Sequence, residues 1–188
     1  MTNKKHALDA SHSLAAMHGM DRVYYWLGVG LGSGLAPRAP GTAASFAILL
    51  LVPLWVWLGF WPSLVVVLMM SLVGIPICGR TADLMGVHDD GRIVWDEFAG
   101  QSLTLLPLLL WPVGVGFNSI TVANVMVGFL LFRLFDVWKP WPISVLDRQV
   151  HGGLGIMLDD LLAGVFAALV FAIWLLYGLP WFAQLMSA

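Results

Sequence analysis

Carboxylates recur in this sequence beside glycines and cations, in a pattern that suits a hard metal ion and a phosphate. One group reads Asp83, then His88-Asp89-Asp90-Gly91-Arg92, then Asp96-Glu97. A second reads Arg133, Asp136, Lys139, Asp147, Arg148 and Asp159-Asp160. Acids gathered without a cation repel and raise one another's pKa values. Mg²⁺ takes a few carboxylates together with water and substrate phosphate, and relieves that repulsion. Asp96, Glu97, Asp136, Asp159 and Asp160 are the expected metal ligands, because each sits where an apolar segment meets a polar loop. Simpler roles compete for single residues. Asp136 lies three residues from both Arg133 and Lys139, so a helix would put all three on one face as ion pairs. Asp159 and Asp160, read as heading the last apolar segment, would suit a helix amino terminus. Lys139 and Arg148 stand between acids and fit phosphoryl oxygens.

The elements that must position these groups are apolar. The chain has 188 residues, of which 60% are hydrophobic and only 11% charged. Soluble domains run at about 45–50% apolar and about 25% charged. This excess cannot be hidden inside one soluble fold of this size, so a bilayer is the expected solvent. A net charge of −2 gives no nucleic-acid surface. Cys78 is the only cysteine, so no intrachain disulfide is possible.

Five apolar segments are expected to span: 43–60, 64–78, 103–117, 120–135 and 161–179, with four spans as the competing count. The third carries Pro107 and Pro112, either of which would break a helix. Residues 1–22, with His6, His12 and His18, read as a polar cytoplasmic tail, and 23–188 as one membrane domain. The glycine-rich run 28–41 reads as a loop or re-entrant piece. Threading five spans puts residues 1–42, 79–102 and 136–160 on one side, with essentially every charge; the positive-inside rule makes that side cytoplasmic. The fold class is therefore all-α, a polytopic membrane helix bundle with its polar loops and site on the cytoplasmic face.

Four blocks then resemble a known family. They are Ser33-Gly34-Leu35-Ala36-Pro37 with Pro40-Gly41-Thr42; Val94-Trp95-Asp96-Glu97-Phe98-Ala99-Gly100, preceded by His88-Asp89; Phe132-Arg133-Leu134-Phe135-Asp136-Val137-Trp138-Lys139-Pro140-Trp141-Pro142; and Asp147-Arg148 with Gly152 through Gly164. Together they look like the hallmark blocks of bacterial phosphatidylglycerophosphatase A, and the likeness covers residues 23–175. The resemblance implies a Mg²⁺-dependent enzyme of the bacterial inner membrane. Its reaction would remove the terminal phosphate of the membrane phospholipid phosphatidylglycerophosphate, giving phosphatidylglycerol and inorganic phosphate. Carried over block by block, Asp96, Glu97, Asp136, Asp159 and Asp160 are metal and catalytic candidates. Lys139, Arg148, Arg38 and Thr42 are phosphate-contact candidates.

Glu97 and Asp136 are the first choices to position the attacking water or take its proton, and direct attack by a carboxylate is the other route. The rival function is a small transporter or channel using the acids as an ion path, which expects acids in mid-span and access from both sides.

Overall fold

The computed structural model describes residues 19–87, 90–110 and 119–178, and every regular element among them is helical. The expectations for residues 1–18 and for His88 lie outside the described residues. Helix α1 (Met20–Gly28) lies on the later helix α4 (Phe60–Met85). Thr81 of α4 sits so close to Gly28 that a Cβ there would lie 2.2 Å from its hydroxyl oxygen. That hydroxyl lies within hydrogen-bond reach of two carbonyls, Ile77 O (2.7 Å) and Tyr24 O (2.9 Å). The chain then reverses through a 3₁₀ turn, Gly30–Leu35, where Gly32 takes φ 105°, a value open to glycine and strained for other residues.

Prolines shape the apolar run that follows. Pro40 opens α2 (Pro40–Ala47), where its missing N–H costs nothing. Pro53 lies near the start of α3 (Val52–Leu58) and cannot donate to the carbonyl four residues back, and the backbone just before it tightens into 3₁₀ over Ile48–Leu51. Pro107 does the same after α5 (Trp95–Leu105), which passes into a 3₁₀ turn at Leu106–Leu109. The remaining elements are α6 (Ser119–Trp138), the short α7 (Ile143–Gln149) and α8 (Gly152–Ile173), which ends in a π turn at Trp174–Gly178.

Three helical stretches among the described residues are long and apolar enough to cross a membrane: Pro40–Leu58, Phe60–Met85 and Gly152–Gly178. Their outward side chains, among them Leu50, Trp57, Trp61, Leu68, Leu72, Leu169 and Ile173, are exposed large hydrophobics. Water would penalise that surface and lipid would not. The first two stretches contain most of the expected segments 43–60 and 64–78. The expected segment 103–117 differs, because its helix begins earlier, at Trp95, and loses its regular hydrogen bonding at Pro107; residues 111–118 lie outside the described residues. Segment 120–135 falls within α6.

The last segment requires a correction. Its helix starts at Gly152 rather than at 161, so Asp159 and Asp160 lie inside the helix and do not cap it.

Helix α8 is the central post, packed against α4, α5, α6 and α7. It approaches two of them through glycine. A Cβ on Gly153 would stand 1.9 Å from Ile75 O and 2.6 Å from Gly79 N, so α8 and α4 touch backbone to backbone. A Cβ on Gly164 would stand 2.7 Å from Gly100 O, and one on Gly100 would stand 2.7 Å from Asp160 O. Small residues at such crossings are how apolar helices pack closely. Thr104 adds polar contacts across the second crossing, with its hydroxyl 2.9 Å from Gly100 O and 3.3 Å from Gly164 O.

Because backbone cannot yield as a side-chain tip can, Gly153→Ala and Gly164→Ala should each destabilise the protein by about 1–3 kcal/mol. Gly91→Ala, where a Cβ meets open space, should not. Thermal unfolding in detergent would check this ordering.

Candidate active site

Helix α5 brings the first two acids. Asp96 and Glu97 occupy its first turn, where the helix dipole favours carboxylates. The indole of Trp95 donates to Met70 O at 3.0 Å and ties this end of α5 to α4. The Gly100–Gly164 crossing then sets Asp160 of α8 opposite them. One carboxylate oxygen from each of Asp96, Glu97 and Asp160 lies within 4.8 Å of the other two. Asp96 and Asp160 are only 8% and 4% exposed.

The condition of these oxygens indicates what the cluster can hold. Asp96 Oδ1, Glu97 Oε2 and Asp160 Oδ2 are buried with no hydrogen-bond partner, and so is Asp159 Oδ1. A buried polar atom left unpaired costs about 1–3 kcal/mol, and a charged one more. Three acids in this condition, brought together from two helices, fit a hard divalent cation, which binds oxygen ligands. With no cation, the charges must be reduced by protons instead. Outside the three apolar stretches, burial and the neighbouring Glu97 charge push Asp96 well up. Burial, followed by the Asp160 charge, pushes Glu97 up to about 8.

Cations flank the cluster on two sides. Lys139 follows the end of α6 with φ 44°, a left-handed value rare for a side chain of its kind. Its Nζ donates to Asp147 Oδ1 at 2.7 Å and to Asp159 Oδ2 at 2.5 Å. Burial alone would lower the lysine, but these two hydrogen bonds carry it up. The same contact holds Asp147 below its usual value. On the other side, Arg133 forms an ion pair with Asp136. Lys139 therefore bridges Asp147 and Asp159, and the expected Asp136–Lys139 face is not what forms. The helix ends before Lys139, so the three-residue spacing no longer aligns the two side chains.

These groups enclose a cavity of about 260 Å³. It is lined by all five of the expected ligands, Asp96, Glu97, Asp136, Asp159 and Asp160, and by Lys139. Three other expected residues do not line it. Arg38 and Arg148 are exposed, and Thr42 is half-buried in the first turn of α2. Two residues the sequence left unassigned do line it, Asp147 and His151. Asp147 could have been found as a partner for Lys139 across a short helix.

Gly41 is a further contributor, marked in the sequence only as part of the Pro40-Gly41-Thr42 block and given no role there. A Cβ there would lie 2.1 Å from Glu97 Oε1, so only glycine lets α2 rest against that carboxylate.

The chain was also compared with known proteins. The family model described as phosphatidylglycerophosphatase A matches residues 26–175. The chain is similar to phosphatidylglycerophosphatase A of Escherichia coli K12, with 46% identity over 155 residues, 79% of this chain and 81% of that protein. It is 42% identical over 156 residues to the Haemophilus influenzae protein of the same name, 80% of this chain and 89% of that one. A Bacteroides thetaiotaomicron protein, provisionally named as a phosphatidylinositol-3-phosphatase, is 34% identical over 152 residues, 78% of this chain and 90% of that protein. No solved structure matches the chain.

Two outcomes follow from this geometry. Gly41→Ala should displace the Glu97 carboxylate and cut activity while leaving the unfolding temperature nearly unchanged, because a side-chain tip can move aside where backbone cannot. The second concerns pH. An acid raised from 4.5 to about 8 on folding keeps its proton in the folded state. Its contribution to stability is present below the ordinary value and is lost as pH rises through the folded one. In EDTA the protein should therefore lose stability between about pH 4.5 and 8. Added divalent cation should raise the unfolding temperature more at pH 9 than at pH 6, as scanning fluorimetry would show.

Proposed function

The chain belongs to the phosphatidylglycerophosphatase A family, a family of phosphatases, and from that premise we propose that its acidic cavity hydrolyses phosphatidylglycerophosphate with the help of Mg²⁺. One observation carries the reading: three acids, each with a buried, unpartnered carboxylate oxygen, come within 4.8 Å of one another in a cavity that also holds a lysine. Asp96, Glu97 and Asp160 would hold the metal, with Asp136 and Asp159 at the edge of the same cavity. Bound there, Mg²⁺ supplies positive charge against the phosphomonoester oxygens.

The chain's own groups supply the rest. The Lys139 ammonium, steadied by Asp147 and Asp159, is placed to donate to a phosphoryl oxygen as charge builds on it. Glu97 or Asp136 orients a water and takes its proton as the water oxygen bonds to phosphorus. The ester P–O bond breaks, its electrons stay on the glycerol oxygen, and that oxygen takes up a proton.

The surroundings suit a lipid substrate. Val137, Trp138 and Trp141 are exposed beside Lys139, and aromatic residues of this kind favour a membrane interface. The phosphate can enter the polar cavity while the acyl chains remain among apolar helices. The bacterial inner membrane is the proposed location, with the cavity on the cytoplasmic side, following the charge bias of the loops. A transporter is disfavoured because the acids close around one cavity rather than following a path along the helices.

Purified protein in mixed micelles should release phosphate from phosphatidylglycerophosphate with Mg²⁺ and lose that activity in excess EDTA. Glu97→Gln and Asp136→Asn should each lower the rate by about 10²–10⁴-fold. Phosphatidylinositol 3-phosphate and glycerol phosphate are the comparison substrates. Preference for the first would change the substrate, and equal turnover of the second would refute the lipid requirement. No release from folded protein under any metal would discard the phosphatase reading.

A further inference from the structure

Arg133 does not line the cavity, yet its contacts end on groups that line it or press against those that do. Its Nη1 pairs with Asp136 Oδ2. The same nitrogen donates to Ser45 Oγ at 3.4 Å, and Ser45 in turn donates to Gly41 O at 2.8 Å. A Cβ on Gly41 would lie 3.3 Å from Arg133 Nη1 and 2.1 Å from Glu97 Oε1. The guanidinium is therefore wedged where α2, α5 and α6 meet, behind the wall that presents Asp136 and Glu97. The two side chains of the ion pair are only 18% and 13% exposed.

We propose that Arg133 is a positioning residue for the reaction. It fixes the Asp136 carboxylate against α2 and offsets the combined charge of Asp136 and Glu97, so that both face the cavity in one arrangement. This inference rests on the phosphatase reading of the cavity. Two features set Arg133 apart from a phosphate contact. It stands outside the cavity lining, and its charge is already engaged by Asp136. Arginine suits the task because its guanidinium is planar, which fixes the N–H directions of Nη1 toward Asp136 and Ser45, whereas a lysine presents a point charge on a flexible stem. Removing it leaves two like charges facing each other in a partly buried wall.

The test compares wild type, Arg133→Gln, Arg133→Lys, Asp136→Asn and the double variant Arg133→Gln/Asp136→Asn, in detergent with Mg²⁺. Arg133→Gln should lower kcat by about 10²-fold, the scale of a misplacement of about 1 Å, with KM for the lipid little changed. Arg133→Lys should recover part of kcat. In the Asp136→Asn background, Arg133→Gln should cost little more, because the group it positions is gone. A raised KM with unchanged kcat would overturn the proposal in favour of a substrate contact, and so would equal losses in both backgrounds. If Arg133→Gln does not fold, Arg133→Lys and Ser45→Ala decide: wild-type kcat in both would overturn the proposal.

Thermal unfolding judges the inference separately from the reaction. Arg133→Gln should lower the unfolding temperature more in wild type than in Asp136→Asn, and equal shifts would overturn it. Wild-type protein that releases no phosphate would sink the function reading while leaving this thermal comparison to decide on Arg133.

Discussion

The structure is organised around one electrostatic constraint: carboxylates from three helices must share a low-dielectric space. Like charges a few ångströms apart are costly even in water, and burial multiplies the cost. Asp96, Glu97 and Asp160 bear it most directly, since each keeps a buried oxygen with no hydrogen-bond partner. Folded chains rarely leave such atoms unpaired unless something else completes them. Arg133 and Lys139 form their ion pairs with the outer acids, Asp136, Asp147 and Asp159. The inner three form a buried acidic group that could hold a metal ion.

The apolar framework is built to hold that arrangement. Helix α8 can carry two adjacent aspartates inside a long hydrophobic stretch because it touches α4 and α5 through glycine, leaving no room for slippage between them. Gly164 lies one turn beyond Asp160 and Gly153 lies two turns before it, so the crossings bracket the acids along the helix. Packing and chemistry are thus linked through backbone contact. Gly164 makes its contact with Gly100, on the helix that carries Asp96 and Glu97, even though it does not enter the cavity.

Much of this was legible in the sequence, and the limits have identifiable physical causes. Composition and apolar runs gave the all-helical class, because an apolar excess of this size admits few other solutions. The acidic groups were visible as charges that interrupt hydrophobic segments. The start of α8 was misread because Asp159-Asp160 resembles a helix cap, and only tertiary partners such as Lys139 reveal a mid-helix aspartate as tolerable. The Asp136–Lys139 pairing failed because periodicity assumes a continuing helix, and the chain leaves the helix at Trp138. The role of Gly41, which stands in the Pro40-Gly41-Thr42 block, was hidden for a different reason. Its importance lies in what is absent from its side chain at a contact between α2 and α5, which no local pattern encodes.

The two cations divide their work in a way that follows from where each stands. Lys139 lies in the cavity wall, on a flexible stem, and its ammonium can trade part of its contact with Asp147 or Asp159 for an incoming anion. Arg133 lies behind the wall, with its guanidinium held between Asp136 and Ser45, and has no comparable freedom. A point charge that can reorient serves a ligand that comes and goes, whereas a rigid fork serves a partner that must stay fixed. The same division explains why the two are not interchangeable by charge alone. The proposed roles thus fall on two separate cations, one in the cavity wall and one behind it.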